Sequence, residues 1–164
     1  MSRQSGFTII ELAVTMAIIG ILAAITIPNL IGWISNGRVN ASARDIVACI
    51  QLARIEAVKQ NQLVVVTFDA DDNDILDGTY IAYVDDGQGG GVAGNWTQDG
   101  TERTVYSGQL RPGVTFAAIA LGLSVDETRF NSRAMPSDAG PISLTNSRGH
   151  TVTINLGSGG IPTI

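Results

Sequence analysis

The feature that most limits what this chain can fold into is an apolar run near its amino end. From Leu12 to Ile34 the sequence has 23 residues without an ionisable side chain. A helix of that length is about 34 Å long, and the hydrocarbon core of a bilayer is about 30 Å thick. A secretory signal peptide would have a shorter apolar region with a small-residue cleavage site after it. The run therefore predicts a membrane-spanning helix.

One acidic residue, Glu11, stands directly before this run and needs an explanation. An unpaired carboxylate inside lipid is costly, and acidic groups within membranes usually have a partner. Two explanations are open. At the start of the helix, Glu11 could reach the membrane interface and interact with the electropositive helix end. Alternatively, Glu11 pairs with a cation supplied by another copy of the chain, which would fix the register between subunits.

The residues around and within the run predict its orientation and a bend. Arg3 is the only basic residue before the run, which favours an amino end in the cytoplasm. Pro28 has no backbone N–H, so we expect it to kink or locally melt the helix. Gly37 adds a further weak point, after which the helical pattern resumes.

Residues 36–60 have the pattern of an amphipathic helix. Apolar residues recur at helical spacing and form one stripe that should cover a sheet. The stripe consists of Val39, Ala43, Ile46, Ile50, Ala53 and Ala57. Leu52 and Ile55 should point outward. The single cysteine, Cys49, excludes an intrachain disulfide, and we expect it to be a small buried apolar residue.

Residues 61–164 have the pattern of an antiparallel sheet. Six segments are predicted as strands: QLVVVTFD, TYIAYVDD, RTVYSG, GVTFAAIAL, PISLTN and HTVTINL. Turns and no helices separate them, and the Gly-rich DDGQGGGVAGN should be a surface loop. The fold class is therefore α+β, with a long N-terminal helix that packs its amphipathic half on an antiparallel β-sheet domain.

The charges and side chains argue against several function classes. From Asp69 to Glu102 there are nine acidic residues and no Lys or Arg, so general nucleic-acid affinity is not expected. The acidic stretch 69–78 resembles a calcium loop only in part. It lacks the Gly and the closing Glu of an EF-hand, so we expect a solvated turn. His150 is alone and is expected to be structural. No catalytic motif is present, so we predict no enzyme, no cofactor and no metal site.

The amino end also resembles a known processing signal. The segment GFTIIEL, whose Gly is the last residue of the polar leader MSRQSG, is similar to the site in type IV prepilins and type II secretion pseudopilins. That resemblance implies that a prepilin peptidase cuts between Gly6 and Phe7 and methylates the new amine of Phe7. It also implies that Glu11 pairs with the Phe7 amine of a neighbouring subunit.

The later sequence resembles the FimT/GspH-like branch of the same superfamily. SARDIVACIQLARIEAVKQNQLVVVTFD carries the likeness, and the tail from Thr128 has the expected short strand, glycine-bearing turn and two paired strands. The resemblance implies a leader at 1–6, a membrane and filament-core helix at 7–35, and a pilin-like domain at 36–164.

The implied function is that of a minor pilin or minor pseudopilin that aids filament initiation or tip assembly. Its partners would be the peptidase, other subunits, membrane lipid and an inner-membrane assembly platform. It would cross the bacterial inner membrane once before it joins a periplasmic or surface filament. Pilus and secretion system remain equally open. The alternative is a binding module on the filament for DNA or a surface ligand, which a concentration of exposed Arg would favour.

Overall fold

The computed structural model describes residues 7–68, 78–122 and 126–164. These residues form one long helix, a short 3-10 helix at Gln88–Gly90 and eight strands. In chain order the long helix and the strands are α1 (Ile9–Gln60), β1 (Val64–Thr67), β2 (Thr79–Val84), β3 (Thr104–Gln109), β4 (Val114–Ile119), β5 (Glu127–Phe130), β6 (Gly140–Asn146), β7 (Thr151–Leu156) and β8 (Pro162–Thr163). The chain divides into two compact units, Met1–Ser35 and Asn36–Ile164.

Helix α1 is continuous over 52 residues. Pro28 lies inside it and Gly37 does not interrupt it, so the local melting expected at Pro28 is absent. A proline removes one main-chain hydrogen bond, and a long helix keeps the bonds on either side of the gap. A kink at Pro28 stays a prediction.

The second half of α1 packs as the apolar stripe predicted. All six stripe residues are completely buried, together with Cys49. Burial raises the pKa of the Cys49 thiol to about 12, as expected for a small apolar residue of the core. Leu52 and Ile55 are exposed, which agrees with the outward direction predicted for them.

The strands form two four-stranded antiparallel sheets rather than one. The first has the order β3-β2-β1-β5 and the second the order β4-β6-β7-β8. The turn after β3 passes the chain to the second sheet, where β4 pairs with β6 and not with β3. Side chains of α1 and of both sheets share one core. In this core the rings of Phe68 and Phe116 pack edge to face, with their centroids 5.7 Å apart.

Each of the six predicted segments contains a strand, and two further strands are short. β5 has four residues and corresponds to the short strand that the resemblance implied. β8 has two residues, Pro162 and Thr163, and the sequence did not predict it. A segment of two residues carries no periodicity to detect, so its pairing with β7 becomes visible only in the fold.

Candidate functional site

The first described residues show how the helix with the candidate site begins. The Glu11 backbone N–H donates to Thr8 Oγ1 at 3.3 Å, and the Leu12 N–H donates to the Thr8 carbonyl at 3.1 Å. Thr8 is thus the N-cap of α1, and Glu11 is the third helical residue. A Thr with Glu three residues later has the spacing of a capping box, which the prediction from sequence did not include.

The Glu11 side chain is exposed and lies in the first turn of α1. An acidic group at this place interacts favourably with the positive end of the helix dipole. Three ion pairs occur within residues 7–68, 78–122 and 126–164, and Glu11 belongs to none of them. Phe7, next to the predicted cut, is 84% exposed. Gly6 lies outside the described residues.

The apolar half of α1 presents large side chains to its surroundings on every side. The exposed residues include Ile10, Met16, Ile21, Leu22, Ile27 and Trp33. The helix is long and apolar enough to cross a membrane, and no part of its most apolar window is buried. A helix that is apolar all round is stable when lipid or other helices cover it.

Buried carboxylates organise the predicted glycine loop between β2 and β3. Asp85 accepts the backbone N–H groups of Gly94 and Trp96. Glu102 accepts those of Gly87 at 2.8 Å and Asp99 at 3.2 Å. These acids therefore stabilise the loop, a role that the sequence analysis missed. An Asp at the end of a strand before a glycine-rich stretch is the signal that could have revealed it.

The side chain of Arg129, on β5 of the first sheet, contacts the same loop. The Arg129 guanidinium lies 4.3 Å from the centre of the Trp96 ring, and its Nη1 donates to the Gly94 carbonyl at 3.4 Å. Among the residues that the structure describes, no group of three acidic, His or Cys side chains could hold a metal. The acidic stretch considered as a calcium loop falls on residues 69–77, which lie outside the described residues.

His150 lies in the turn between β6 and β7. Its backbone N–H donates to Asn146 Oδ1 at 3.1 Å. Its Nε2 is buried, and no hydrogen-bond partner for it occurs in the part of the chain that the structure describes. The structural role expected for His150 stays a prediction.

Solved structures of low sequence identity share this architecture. The type IV minor pilin FimU of Pseudomonas aeruginosa superposes with a TM-score of 0.56 at 13% identity, over 78% of this chain and 88% of that one. The minor pseudopilin EpsH from the type 2 secretion system of Vibrio cholerae gives 0.54 at 15% identity, over 77% and 94%. The long helix on antiparallel sheets is therefore a pilin-like fold.

The sequence comparisons define the family within that class. Residues 42–160 match the family described as Type II transport protein GspH, and residues 1–27 match the prokaryotic N-terminal methylation motif. The chain belongs to the GspH family, and its family and fold are those of minor pilins and pseudopilins, which are structural subunits. The type II secretion system core protein G of Aeromonas hydrophila is 46% identical over 46 residues, which is 28% of this chain and 32% of that protein.

Proposed function

We propose that this chain is a minor filament subunit that is made as a precursor, held in the inner membrane and then assembled. Prepilin peptidase cuts between Gly6 and Phe7 and methylates the Phe7 amine. The apolar half of α1 crosses the membrane once, with its amino end in the cytoplasm. The subunit then enters a type IV pilus or a type II pseudopilus through the assembly platform, where it serves initiation or the tip.

The observation that carries this proposal is the placement of Glu11. Its carboxylate lies in the first helical turn, exposed, directly before 23 residues without a charge. Within a packed bundle of such helices the dielectric is low, and a lone carboxylate would be costly. A methylated amine on Phe7 of the neighbouring subunit supplies the missing cation. A subunit out of register would leave both charges unpaired.

The charges that flank the apolar run are compatible with the proposed orientation. Arg38 and Arg44 follow the run closely, which by charge counting alone would oppose Arg3. These residues belong to a folded unit of more than about 60 residues, and domains of that length translocate largely regardless of charge. Arg3 therefore decides the orientation in this proposal.

Both filament systems are included in the proposal. The solved structures that share the fold come from a type IV pilus and from a type II secretion system. The matched family model and the core protein G of Aeromonas hydrophila support the secretion system more directly. Deleting the gene and then measuring both pilus number and secreted protein separates the two assignments.

Processing is tested by mass spectrometry of the full chain extracted from membranes, with and without co-expressed prepilin peptidase. We expect the peptidase to remove residues 1–6 and to leave a methylated Phe7. A Gly6→Leu variant is the matched control and should keep Met1, because a side chain would obstruct the scissile bond. An intact Met1 in the unmodified chain with active peptidase would refute the proposed processing.

A further inference from the structure

Two turns of the sheet domain pack against the first turns of α1 in the unit Asn36–Ile164. The turn after β6 is tied to the helix by Asn146 Nδ2, which donates to Asn36 Oδ1 at 3.0 Å. The turn after β3 is tied by the Arg111 backbone N–H, which donates to Ser42 Oγ at 3.1 Å. Arg38 Nη1 also donates to the carbonyl of Pro112 at 3.2 Å. Both turns therefore lie at the end of the unit where its helix begins.

This end of the unit carries a concentration of exposed arginines, here called the arginine collar. The collar consists of Arg38, Arg44, Arg111 and Arg148, all exposed. Asp45 lies among them and accepts from Arg111 at 3.1 Å. The four arginines form a cationic cluster in a chain whose formal net charge is −5.

Two members of the collar follow the apolar run closely in the sequence. Arg38 follows Ile34 by four residues and Arg44 follows it by ten, which correspond to about 6 and 15 Å of helix. A headgroup layer adds about 5–8 Å on each side of the hydrocarbon core. Trp33, which is 75% exposed, stands at the end of the run, where aromatic residues favour the membrane interface. A chain anchored by this run therefore brings Arg38 to the level of the lipid headgroups, with Arg44 six residues farther along the helix.

The opposite end of the same unit carries charges of both signs. The Asp85 N–H donates to the Leu63 carbonyl at 3.0 Å, just beyond the carboxyl end of α1. From Asn36 to Gln60 the helix extends for about 36 Å. The loop from Asp85 to Glu102 has four acidic residues, of which Asp85 and Glu102 are buried, and Arg103 and Arg129 lie beside it. This loop therefore offers an anionic surface no cluster of exposed cations like the collar.

We propose that the arginine collar binds the anionic phospholipid headgroups of the membrane that holds the chain. The inference rests on the membrane anchoring proposed above. Lipid contact would hold the beginning of the folded unit's helix near the bilayer surface before assembly. Nucleic acid could meet the same charges, but an anchored chain presents this end to lipid first.

The test uses the full chain inserted in nanodiscs of phosphatidylcholine alone or of phosphatidylcholine with phosphatidylglycerol. Hydrogen exchange is followed at the backbone amide of Arg111, which donates to Ser42 of α1, and at those of Arg148 and His150, which donate to Asn146 in the turn after β6. We expect exchange to slow by about fivefold or more in the anionic discs. High salt should cancel the difference, because it screens surface charges. Exchange in β1 reports whether the fold is preserved.

Three variants locate the effect. Replacing both Arg38 and Arg148 with Gln should remove most of the lipid dependence at Arg111 and His150, whereas Lys at both positions should keep it. Arg133→Gln is the matched control: Arg133 is exposed and lies in the turn next to Ala134, whose carbonyl accepts from Arg54. Arg54 is 20 residues beyond Ile34, so Arg133→Gln should leave the lipid dependence intact.

Three results would overturn the inference. Equal exchange in both lipids, with the chain inserted, would refute lipid binding and leave the proposed function standing. A chain that fails to insert in either lipid would refute the proposed anchoring itself. Short duplex DNA that protects the two turns and displaces anionic lipid from them would assign the collar to nucleic acid instead.

Discussion

The Asn146 side-chain amide donates to Asn36 Oδ1 at 3.0 Å and ties the turn after β6 to the residue at which the folded unit begins. The carbonyl oxygen of the same side chain accepts the backbone N–H groups of Arg148 and His150. Asn146 is 5% exposed. One buried side chain therefore closes a turn and connects it with α1.

A fragment of residues 36–164 should fold without the apolar segment. The core comes from the second half of α1 and from both sheets, and all of these elements lie after Ser35. We expect a soluble fragment that unfolds in one cooperative urea transition, with circular dichroism of mixed helix and strand. A fragment that stays disordered, or whose spectrum shows only helix, would contradict a self-sufficient core.

Replacing Asn146 should cost more stability than replacing its partner. Asn146→Ala leaves two backbone N–H groups without their acceptor, and we expect a loss of about 1–3 kcal/mol in the free energy of unfolding. Asn36→Ala removes only the amide pair and should cost about 1 kcal/mol. Urea unfolding of the fragment measures both. Equal losses from the two variants would mean that the turn does not depend on the Asn146 carbonyl.

A methyl group at Gly108 should overpack the first sheet. An added Cβ would lie 2.5 Å from Tyr80 Cζ, in the strand paired with Gly108. The Tyr80 ring is buried and stacks on Tyr106, so it cannot move aside freely. We expect Gly108→Ala to lose about 1–3 kcal/mol. Gly159→Ala is the control, since its Cβ meets nothing within 4 Å, and it should change stability by less than about 1 kcal/mol.

Stability should depend on pH through Glu56, near the carboxyl end of α1. The Gln60 amide, which donates to Glu56 Oε1 at 2.8 Å, and the Arg103 guanidinium hold the Glu56 pKa below its ordinary value. A lowered pKa adds stability above the pKa of the unfolded chain, about 4.3, which is lost as the pH falls through the folded value.

The expected size of the Glu56 effect is small because its partner is open to solvent. Arg103 is 53% exposed, so screening limits the contribution to about 0.5 kcal/mol. We expect Glu56→Gln to be less stable than the unmodified fragment near neutral pH and equally stable once Glu56 is protonated. Gln60→Ala should remove part of the difference. Urea unfolding across this pH range is the measurement, and a constant difference at every pH would exclude ionisation as the cause.

The sequence predicted the helical core because helical periodicity leaves a strong signal. Residues spaced along one face of α1, such as Val39, Ile46 and Ile50, are all completely buried. The division into two sheets was not predictable in this way. The alternating sequence pattern of a strand indicates that one of its faces is buried, but it does not indicate which strand is its neighbour in the sheet. Only long-range pairing separates β4 from β3 and joins it to β6.

The candidate site was predicted in part. Glu11 was visible as a single charge beside a long apolar run, whereas the Thr8 cap depended on the position at which the helix begins. Asp85 and Glu102 were counted as part of an acidic middle because composition does not reveal burial. The arginine collar brings together residues that are up to 110 positions apart in the sequence, from Arg38 to Arg148. No local sequence pattern predicts such a cluster.

The cap at Thr8 makes it possible to separate two roles of Glu11. Thr8→Ala removes the hydroxyl that accepts the Glu11 backbone N–H and leaves the carboxylate in place. Glu11→Gln removes the charge and keeps a side chain that suits the third helical position. Glu11→Ala removes both the charge and the polar side chain. Membrane insertion and cleavage should persist in all three, because none adds a charge to the apolar run or changes Gly6.

If Glu11 pairs with the Phe7 amine of a neighbouring subunit, filament assembly should require the negative charge of the Glu11 carboxylate. We expect Glu11→Gln and Glu11→Ala to remain in the membrane fraction and to leave few filaments, whereas Thr8→Ala assembles normally. The measurement compares each variant in membrane and sheared-filament fractions, together with filament counts, in a strain that lacks the unmodified copy. Normal incorporation of Glu11→Gln would show that the carboxylate charge is dispensable. A failure of Thr8→Ala alone would assign the requirement to the helix cap, and pairing with Phe7 would then be refuted.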